Sequence, residues 1–308
     1  MIRHWWWLLV LAVGPLELGA HLFFSRRAPG LDDYRALQAR VTALRKPGDV
    51  VIIAPRWAEP IARTAWGDAL LPIAELGRLD LARFERVVLV TSMGQVAPEL
   101  SGFARLVREA HGPFVVEVLK NPGFAPVKAD LNERVVPELL AVAVVQGSGE
   151  RSPCIWSDSA VVRTGGLGGP AALPRERFQC VGGEDRFVGI SILDDQEFRP
   201  RRCIWAHPPD GGYLELSFSK VPRGRAVIGA AGLSYLLTRD GVGSDVSLEV
   251  LADGVSLGTH RERDTEGWQG FRFELPGSSQ ESSEVELTFR VSSVKAENRD
   301  FCFQAEVR

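Results

Sequence analysis

The residues with the greatest capacity for chemistry in this sequence are a group of three carboxylates. Asp194, Asp195 and Glu197 form the densest acidic cluster in the second half of the chain. Two carboxylates about 5 to 10 Å apart can cleave a glycosidic bond. Neighbouring residues of a strand point to opposite faces, so Asp194 and Asp195 share a pocket only if they lie in a turn. We therefore favour a solvated turn over a catalytic pair.

Motifs for nucleophilic, nucleotide or metal chemistry are missing from the sequence. No segment has the Gly-x-Ser-x-Gly pattern of a serine hydrolase, and no Walker A motif is present. Residues 166–171 match the dinucleotide pattern only superficially, because Pro170 removes an N–H donor that a pyrophosphate needs. His111, His207 and His260 are isolated in sequence. We expect no metal and no cofactor, and the sequence favours a protein that is not an enzyme.

Candidate binding residues follow two apolar runs in the first half of the chain. Arg56 and Trp57 come after the first run, and Ser92 comes after the second. In an open α/β sheet, ligands bind at the carboxyl ends of the strands. Arg56 is suited to hold an anion, and Trp57 is suited to stack on a sugar or another ring. The alternative is that Trp57 packs in the core and Arg56 pairs with Glu59.

A second candidate binding surface is aromatic and lies in the second half of the chain. Trp205, Tyr235 and Trp268 can form a platform for the face of a sugar ring. Its polar rim would consist of His207, Arg263, Asp264 and Glu266. The alternative for Trp205, which follows the run that begins at Cys203, is a place in the core.

The elements that position the first candidate site alternate between helix and strand. Residues 31–44 have one apolar face at helical spacing, which predicts a helix. The apolar runs 50–54 and 87–91 are typical of strands that are covered on both faces. An amphipathic stripe over 100–110 predicts another helix, and 114–118 predicts a third strand. This order predicts a small three-layer α/β domain with a parallel, Rossmann-like sheet.

The second half of the chain reads as all-β. Eight short strand-like segments lie between Phe187 and Val307, separated by turns such as Asp253-Gly254. This pattern predicts a β-sandwich of the jelly-roll type. We expect the α/β domain to cover residues 29–148. The sandwich domain is then expected over 149–308, with a Gly/Pro-rich connection at its start.

The first 28 residues predict a targeting segment. Residues 5–16 form an apolar run behind Arg3, and the run extends to Phe24 with only two polar interruptions. This length suits an uncleaved membrane anchor. A cleaved signal peptide and a buried soluble helix are the alternatives. Leu18 fits a cleavage site after Ala20 poorly, and so we favour the anchor.

Cysteine usage supports an exported chain. Cys154, Cys180, Cys203 and Cys302 all lie in the second half, and none belongs to a Cys-x-x-Cys pair. An even number of cysteines behind a hydrophobic leader predicts disulfides. Of the three pairings, we expect Cys154 with Cys180 and Cys203 with Cys302. The alternative is four buried thiols in a cytosolic protein.

Composition excludes a class of partner. The chain has 308 residues, of which 24% are charged, and a net charge of −3 with no basic cluster. Nucleic-acid binding needs a basic patch, and so we set DNA and RNA aside. At this length, two domains are expected.

Two families resemble parts of the chain. The segment Gly48–Trp57 and the later run Arg86–Val90 resemble the soluble exported region of polytopic lipid-linked-sugar glycosyltransferases, over about residues 31–120. That family places its catalytic carboxylate between transmembrane helices, so its activity does not transfer to this chain. The segment Ile204–Pro209 and the Asp253-Gly254 turn are similar to galactose-binding or carbohydrate-binding jelly-roll modules. This second resemblance implies glycan or cell-surface binding.

The sequence therefore predicts a membrane-anchored, non-catalytic protein whose bulk is periplasmic or extracellular. Its β-sandwich would bind a glycan or a cell-envelope protein. One alternative is a cell-envelope glycan-processing enzyme that uses carboxylates from both domains. Another is a scaffold subunit of a glycosyltransferase system.

Overall fold

The chain divides into two compact units. A computed structural model describes residues 6–25, 28–76, 80–163, 172–196, 200–234, 241–264, 266–277 and 283–308. The first unit comprises Met1–Glu75 and Phe84–Phe124, and the second comprises Leu76–Arg83 and Ala125–Arg308.

The helices and the strands of the first unit come early in the chain. The helices are α1 (Trp6–Ser25), α2 (Leu31–Leu44), α3 (Glu59–Trp66) and α4 (Ile73–Leu76). The strands of the first unit are β1 (Val50–Ala54), β2 (Arg86–Ser92), β3 (Ala104–His111) and β4 (Phe114–Lys120).

Fourteen described strands belong to the second unit. They are β5 (Ala129–Asp130), β6 (Leu140–Gln146), β7 (Arg151–Pro153), β8 (Ile155–Ser157), β9 (Arg177–Gln179), β10 (Phe187–Asp194), β11 (Pro200–Ala206), β12 (Gly212–Pro222), β13 (Ala226–Leu233), β14 (Val246–Ala252), β15 (Val255–Glu262), β16 (Gln269–Glu274), β17 (Glu284–Ser293) and β18 (Phe301–Val307).

The first unit contains a four-stranded mixed sheet in the order β1-β2-β4-β3. Only β1 and β2 are parallel, whereas β4 is antiparallel to both β2 and β3. Helix α2 has the predicted bounds and buries Tyr34, Leu37 and Val41 on one face. The predicted helix and the strand β1 are confirmed, but the fully parallel sheet is wrong.

The helix predicted over 100–110 is a strand. Strand β3 pairs with β4 through a two-residue turn, since His111 lies opposite Phe114. Gly102 and Gly112 both have positive φ, at 91° and 55°, and they bound the strand at its two ends. Within β3 only alternate residues from Val107 onward are half-buried, which is the period of an edge strand and not of a helix.

The second unit is a β-sandwich, as the second half of the sequence predicts. Its six-stranded sheet has the order β15-β14-β17-β12-β6-β7. Its eight-stranded sheet has the order β16-β13-β18-β11-β10-β9-β8, with β5 beside β18. The core lies between the sheets and includes Phe218, Phe289 and Phe303, each fully buried.

The boundary between the units lies earlier than expected. Strand β6 pairs with β12 along seven residue pairs, from Leu140 opposite Phe218 to Gln146 opposite Gly212. It is therefore a strand of the sandwich. The predicted boundary at 148 would cut β6 from its own sheet.

Both predicted disulfides are present. Cys154 is bonded to Cys180, and Cys203 is bonded to Cys302. The second bond joins the adjacent strands β11 and β18 on the outer face of the eight-stranded sheet, where both cysteines are fully buried. The pairing expected from the sequence is confirmed.

The predicted membrane anchor coincides with α1. This helix has 20 residues, and Leu11 and Leu16 are 69% and 71% exposed. Among the helices in the described part of the chain, none combines the length and the apolar character that crossing a membrane requires.

Candidate functional site

A pocket of about 420 Å³ lies on the outer face of the eight-stranded sheet. We call it the outer-face pocket. It is lined by Asp80, Arg83, Ile228, Gly229, Ala230, Gly270, Phe271, Arg272, Gln304, Ala305 and Glu306. All of these residues belong to the second unit.

Strand register explains why a pocket forms at this position. In one lateral row across three strands, Ala230 of β13 lies between Gln304 of β18 and Gly270 of β16. Lateral partners point to the same face of a sheet. Ala230 and Gly270 are small, and this row therefore forms a depression. A Cβ on Gly270 would meet only the carbonyl oxygen of Gly229, at 3.8 Å.

The adjacent row supplies bulkier and charged walls. Two residues further along β13, Ile228 lies between Glu306 of β18 and Arg272 of β16. Ile228 is 9% exposed and provides an apolar surface beside the depression. Arg272 extends to the rim, where its Nε donates to Glu274 Oε1 at 2.6 Å.

An ion-pair network holds the charged wall in place. Arg83 Nη1 lies 3.0 Å from Glu306 Oε2 and 3.3 Å from Asp130 Oδ2. Arg308 bonds to the same Glu306 carboxylate and lies 2.9 Å from Asp80 Oδ2. Because each acid faces an arginine, the wall has fixed polar groups without a large net charge.

Gln304 supplies hydrogen-bonding capacity inside the pocket. It is only 6% exposed, and its side-chain amide makes no hydrogen bond to any described residue. A carboxamide offers two donors and an acceptor. Neither amide atom is among the fully buried polar atoms that lack a partner, so both are accessible to a ligand that donates and accepts hydrogen bonds.

The predicted aromatic platform is wrong for two of its three members. Trp205 is fully buried, stacks on Phe187 at 5.4 Å, and donates from Nε1 to the Asp185 carbonyl. Trp268 is 7% exposed and packs on Gly232, where a Cβ would come within 2.5 Å of its ring. Tyr235 lies outside the described residues.

The burial of both tryptophans has a structural cause. The outer face of the eight-stranded sheet carries a second, smaller core around the Cys203–Cys302 disulfide. Leu173, Leu193 and Ala230 belong to this cluster together with both tryptophans. Sequence periodicity shows which face a strand residue occupies, but it does not show that further chain covers that face.

The candidate site at Arg56 and Trp57 has other ion pairs than the sequence led us to expect. Arg56 pairs with Glu99, with Nη2 2.9 Å from Oε1, whereas Glu59 pairs with Arg63. The expected alternative, an Arg56–Glu59 pair beside a packed tryptophan, is wrong. Trp57 is 58% exposed directly after β1. Ligand binding by Arg56 and Trp57 stays a prediction.

The acidic cluster was expected to lie in a solvated turn, but one of its three residues is buried. Asp195 is 2% exposed and ion-paired with Arg201, whose Nε lies 2.7 Å from Oδ2. The solvated-turn interpretation is therefore wrong for Asp195. Asp194 is the last residue of β10, and Glu197 lies outside the described residues.

One buried acid beside the core was not singled out by the sequence. Glu262 at the end of β15 is fully buried, and its Oε1 lies 2.6 Å from His260 Nε2. Its Oε2 has no hydrogen-bond partner among the described residues. Burial raises the pKa of Glu262 to about 7, against the opposing effect of the His260 hydrogen bond.

Comparisons with known proteins find matches only among solved structures. No protein-family model and no curated protein matches the chain. Among similar solved structures is a CBM51 carbohydrate-binding module of a Clostridium perfringens GH95 protein in complex with methyl-galactose. It has a TM-score of 0.29 and 12% identity, covering 39% of this chain and 81% of that one.

Two further similar structures are also carbohydrate-binding proteins. CBM51-2 and INT domains of Clostridium perfringens ZmpB, in complex with GlcNAc, match with a TM-score of 0.29 and 11% identity over 85% of this chain and 47% of that one. TmCBM61, in complex with β-1,4-galactotriose, matches with a TM-score of 0.20 and 16% identity over 40% and 72%. None of these structures supports the glycosyltransferase resemblance.

Proposed function

We propose that this protein is a non-catalytic glycan-binding protein of the cell envelope, and that the outer-face pocket of its β-sandwich holds a neutral sugar. The observation that carries the proposal is the pocket itself. Its volume of about 420 Å³ lies within the range of small-molecule sites. Its floor combines the small residues Ala230 and Gly270 with the unpaired amide of Gln304.

Charge balance favours a neutral ligand with many hydroxyl groups. The charged lining residues are two arginines, Arg83 and Arg272, and two acids, Asp80 and Glu306. A site with equal numbers of each sign gives no net attraction to an anion or a cation. A hydroxyl group both donates and accepts, so a sugar can bond to the acids, the arginines and the Gln304 amide.

The arrangement of the acids favours binding over catalysis. Asp80 and Glu306 each bond to an arginine, as described above. Glycoside cleavage needs one carboxyl group that carries a proton and a second that stays ionised. Because both acids of this pocket are held by arginines, they do not form such a pair. The rival glycan-processing enzyme would therefore need carboxyl groups outside this pocket.

Export is the second part of the proposal. Two disulfides in one chain are typical of proteins in oxidising compartments. We propose that α1 attaches the chain to a membrane, on the support of its exposed leucines. Cell fractionation and alkylation of thiols without reductant test this part. Recovery in the cytosol with four reactive thiols would contradict it.

A substitution that fills the pocket tests the sugar site. Gly270→Leu places a side chain in the depression, and it costs little strain because the nearest atom to a new Cβ is 3.8 Å away. Gly277→Leu is the matched control, because Gly277 lies outside the lining and a Cβ there meets nothing within 4 Å. The full chain and both variants are screened on a glycan array, and each hit is then measured by calorimetry.

The expected result is at least a tenfold loss of affinity in Gly270→Leu and none in Gly277→Leu, since the new side chain occupies the space of the ligand. Equal binding by all three proteins would show that the sugar binds elsewhere. If the wild type binds no glycan on the array but captures an envelope protein, the ligand is that protein and not a glycan.

A further inference from the structure

A second pocket, of about 270 Å³, lies at one end of the sandwich. We call it the end pocket. Val144 and Leu214, from β6 and β12, form part of its apolar wall. Its polar side consists of Gln146, Arg186, His207 and Asp210. It shares no lining residue with the outer-face pocket.

A disulfide bond helps to position the polar residues of the end pocket. Cys180 lines the end pocket and is bonded to Cys154. The disulfide therefore fixes the start of the loop 181–186, which carries Arg186 to the pocket. Gln179 holds the same loop by donating from Nε2 to the carbonyls of Gly183 and Arg186, at 2.7 and 3.0 Å.

Arg186 has hydrogen-bonding capacity that the protein does not use. Its Nη1 donates to the carbonyl oxygen of Pro208. Its Nη2 lies 3.8 Å from Asp210 Oδ2, which is too far for a hydrogen bond. Neither Nε nor Nη2 of Arg186 has a hydrogen-bond acceptor within the described parts of the chain. The side chain is only 22% exposed, whereas that of Asp210 is 71% exposed.

Two neighbouring side chains are also unsatisfied. His207 is 7% exposed, and its Nδ1 has no hydrogen bond to a described residue; the nearest charged atom is Asp300 Oδ1 at 3.5 Å. The Gln146 amide likewise makes no side-chain hydrogen bond where the structure is described. Of these groups only His207 Nδ1 is fully buried, and a buried polar group without a partner costs free energy. The unused donors of Arg186 and the Gln146 amide are only partly buried at the pocket, where a ligand can reach them.

We infer that the end pocket binds a small molecule bearing a carboxylate. A guanidinium can donate from Nε and Nη2 in parallel to the two oxygens of a carboxylate. The Gln146 amide and the His207 ring can donate to the remaining lone pairs. The body of the ligand then lies against Val144 and Leu214. The volume, just below the range of drug-sized sites, limits the ligand to about one sugar or amino acid unit.

Matched probes test this inference on the full chain. D-Glucuronate and D-glucose differ at a carboxylate in place of a hydroxymethyl group. N-Acetylalanine presents the carboxylate on a peptide-like body. Each is titrated by calorimetry, and the His207 ring resonances are followed by NMR. We expect binding of at least one of the two carboxylates, with shifts at His207, and no such shifts with glucose.

Variants assign the binding to the end pocket. Arg186→Gln removes the cation, and Arg35→Gln is the matched control at an exposed ion pair of α2, outside both pockets. Because hydrogen bonds to charged groups are among the stronger ones, Arg186→Gln should weaken carboxylate binding at least tenfold while Arg35→Gln leaves it unchanged. Gln146→Glu is a second variant that leaves the loop bonds of Arg186 in place. It should weaken binding by repelling the carboxylate.

Each outcome decides the inference. Preference for glucuronate identifies a sugar acid as the ligand type, and preference for N-acetylalanine identifies a peptide-like carboxylate. Absence of binding by both probes overturns the inference, as does binding that survives both Arg186→Gln and Gln146→Glu. The Gly270→Leu variant separates the two proposals, because it should abolish neutral-sugar binding without affecting either carboxylate.

Discussion

The buried acid Glu262 gives a prediction whose size follows from the structure. Burial raises its pKa from 4.5 to about 7 in the folded chain. The folded state therefore holds a proton between pH 4.5 and 7 that the unfolded state releases. For an acid with a raised pKa, stability falls as the pH rises through this window. Each pH unit between the two pKa values corresponds to about 1.4 kcal/mol, so the free energy of unfolding that Glu262 contributes falls by about 3 kcal/mol by pH 8.

Substitution by glutamine isolates this contribution. In Glu262→Gln the amide mimics the protonated carboxyl group and cannot ionise. We expect the variant to match the wild type at pH 4.5 and to exceed it by about 3 kcal/mol at pH 8. Glu274→Gln is the control, because Glu274 is a glutamate on a neighbouring edge strand whose side chain is 66% exposed.

The assay must report on the sandwich within the full chain. Urea unfolding, followed by pulsed hydrogen exchange and mass spectrometry of peptides that cover Val255–Glu262, gives the unfolding free energy of this region. The difference between variant and wild type is compared at pH 4.5, 6, 7 and 8. A difference that does not grow with pH, or an equal change in Glu274→Gln, would refute the reasoning.

Three other expectations concern stability and are checked by urea unfolding of the full chain. Replacing Cys203 and Cys302 with serine should cost about 4 kcal/mol in the chain-entropy model, since the bond closes a separation of 99 residues; an unchanged midpoint would contradict this. Trp205→Ala should cost about 3–5 kcal/mol because the side chain is fully buried, and a loss under about 1 kcal/mol would argue against that burial. Trp57→Ala should change stability by less than about 0.5 kcal/mol, because the side chain is 58% exposed; a large loss would place Trp57 in a core.

Local signals predicted several elements well. The apolar positions of α2 recur on one helical face, and the structure buries Tyr34, Leu37 and Val41 there. The sequence left three disulfide pairings open, and the expected one is confirmed. The position of Cys302 on the face of its strand opposite the core residues Phe301 and Phe303 was also visible in the sequence. In each example the information lies within one element or in a small set of residues of a single type.

Other features depend on contacts between distant segments, which local patterns do not contain. Residues 100–110 carry apolar spacings compatible with a helix, and pairing with β4 makes most of them an edge strand. Strand β6 reads as an ambiguous apolar run, and its partner β12 lies about 70 residues further along the chain. The periodicity around Trp205 did not show that a second cluster covers that face of the sheet.

The two pockets lay beyond prediction for the same reason. The depression between Gln304 and Gly270 exists because three strands align Ala230 between them, and that register is set by pairing across the chain. Gln304 stands on the polar face of an alternating strand, so its position was visible in the sequence, but its burial was not. Arg186 and His207 are 21 positions apart, and only the fold places both of them at the end pocket.

The most direct test of the central proposal is a crystal structure of the full chain with the neutral glycan that binds best on the array. The proposal predicts a sugar ring over Ala230 and Gly270, with a hydroxyl group hydrogen-bonded to the Gln304 amide. A sugar bound at any other surface of the chain, with this pocket empty, would contradict it.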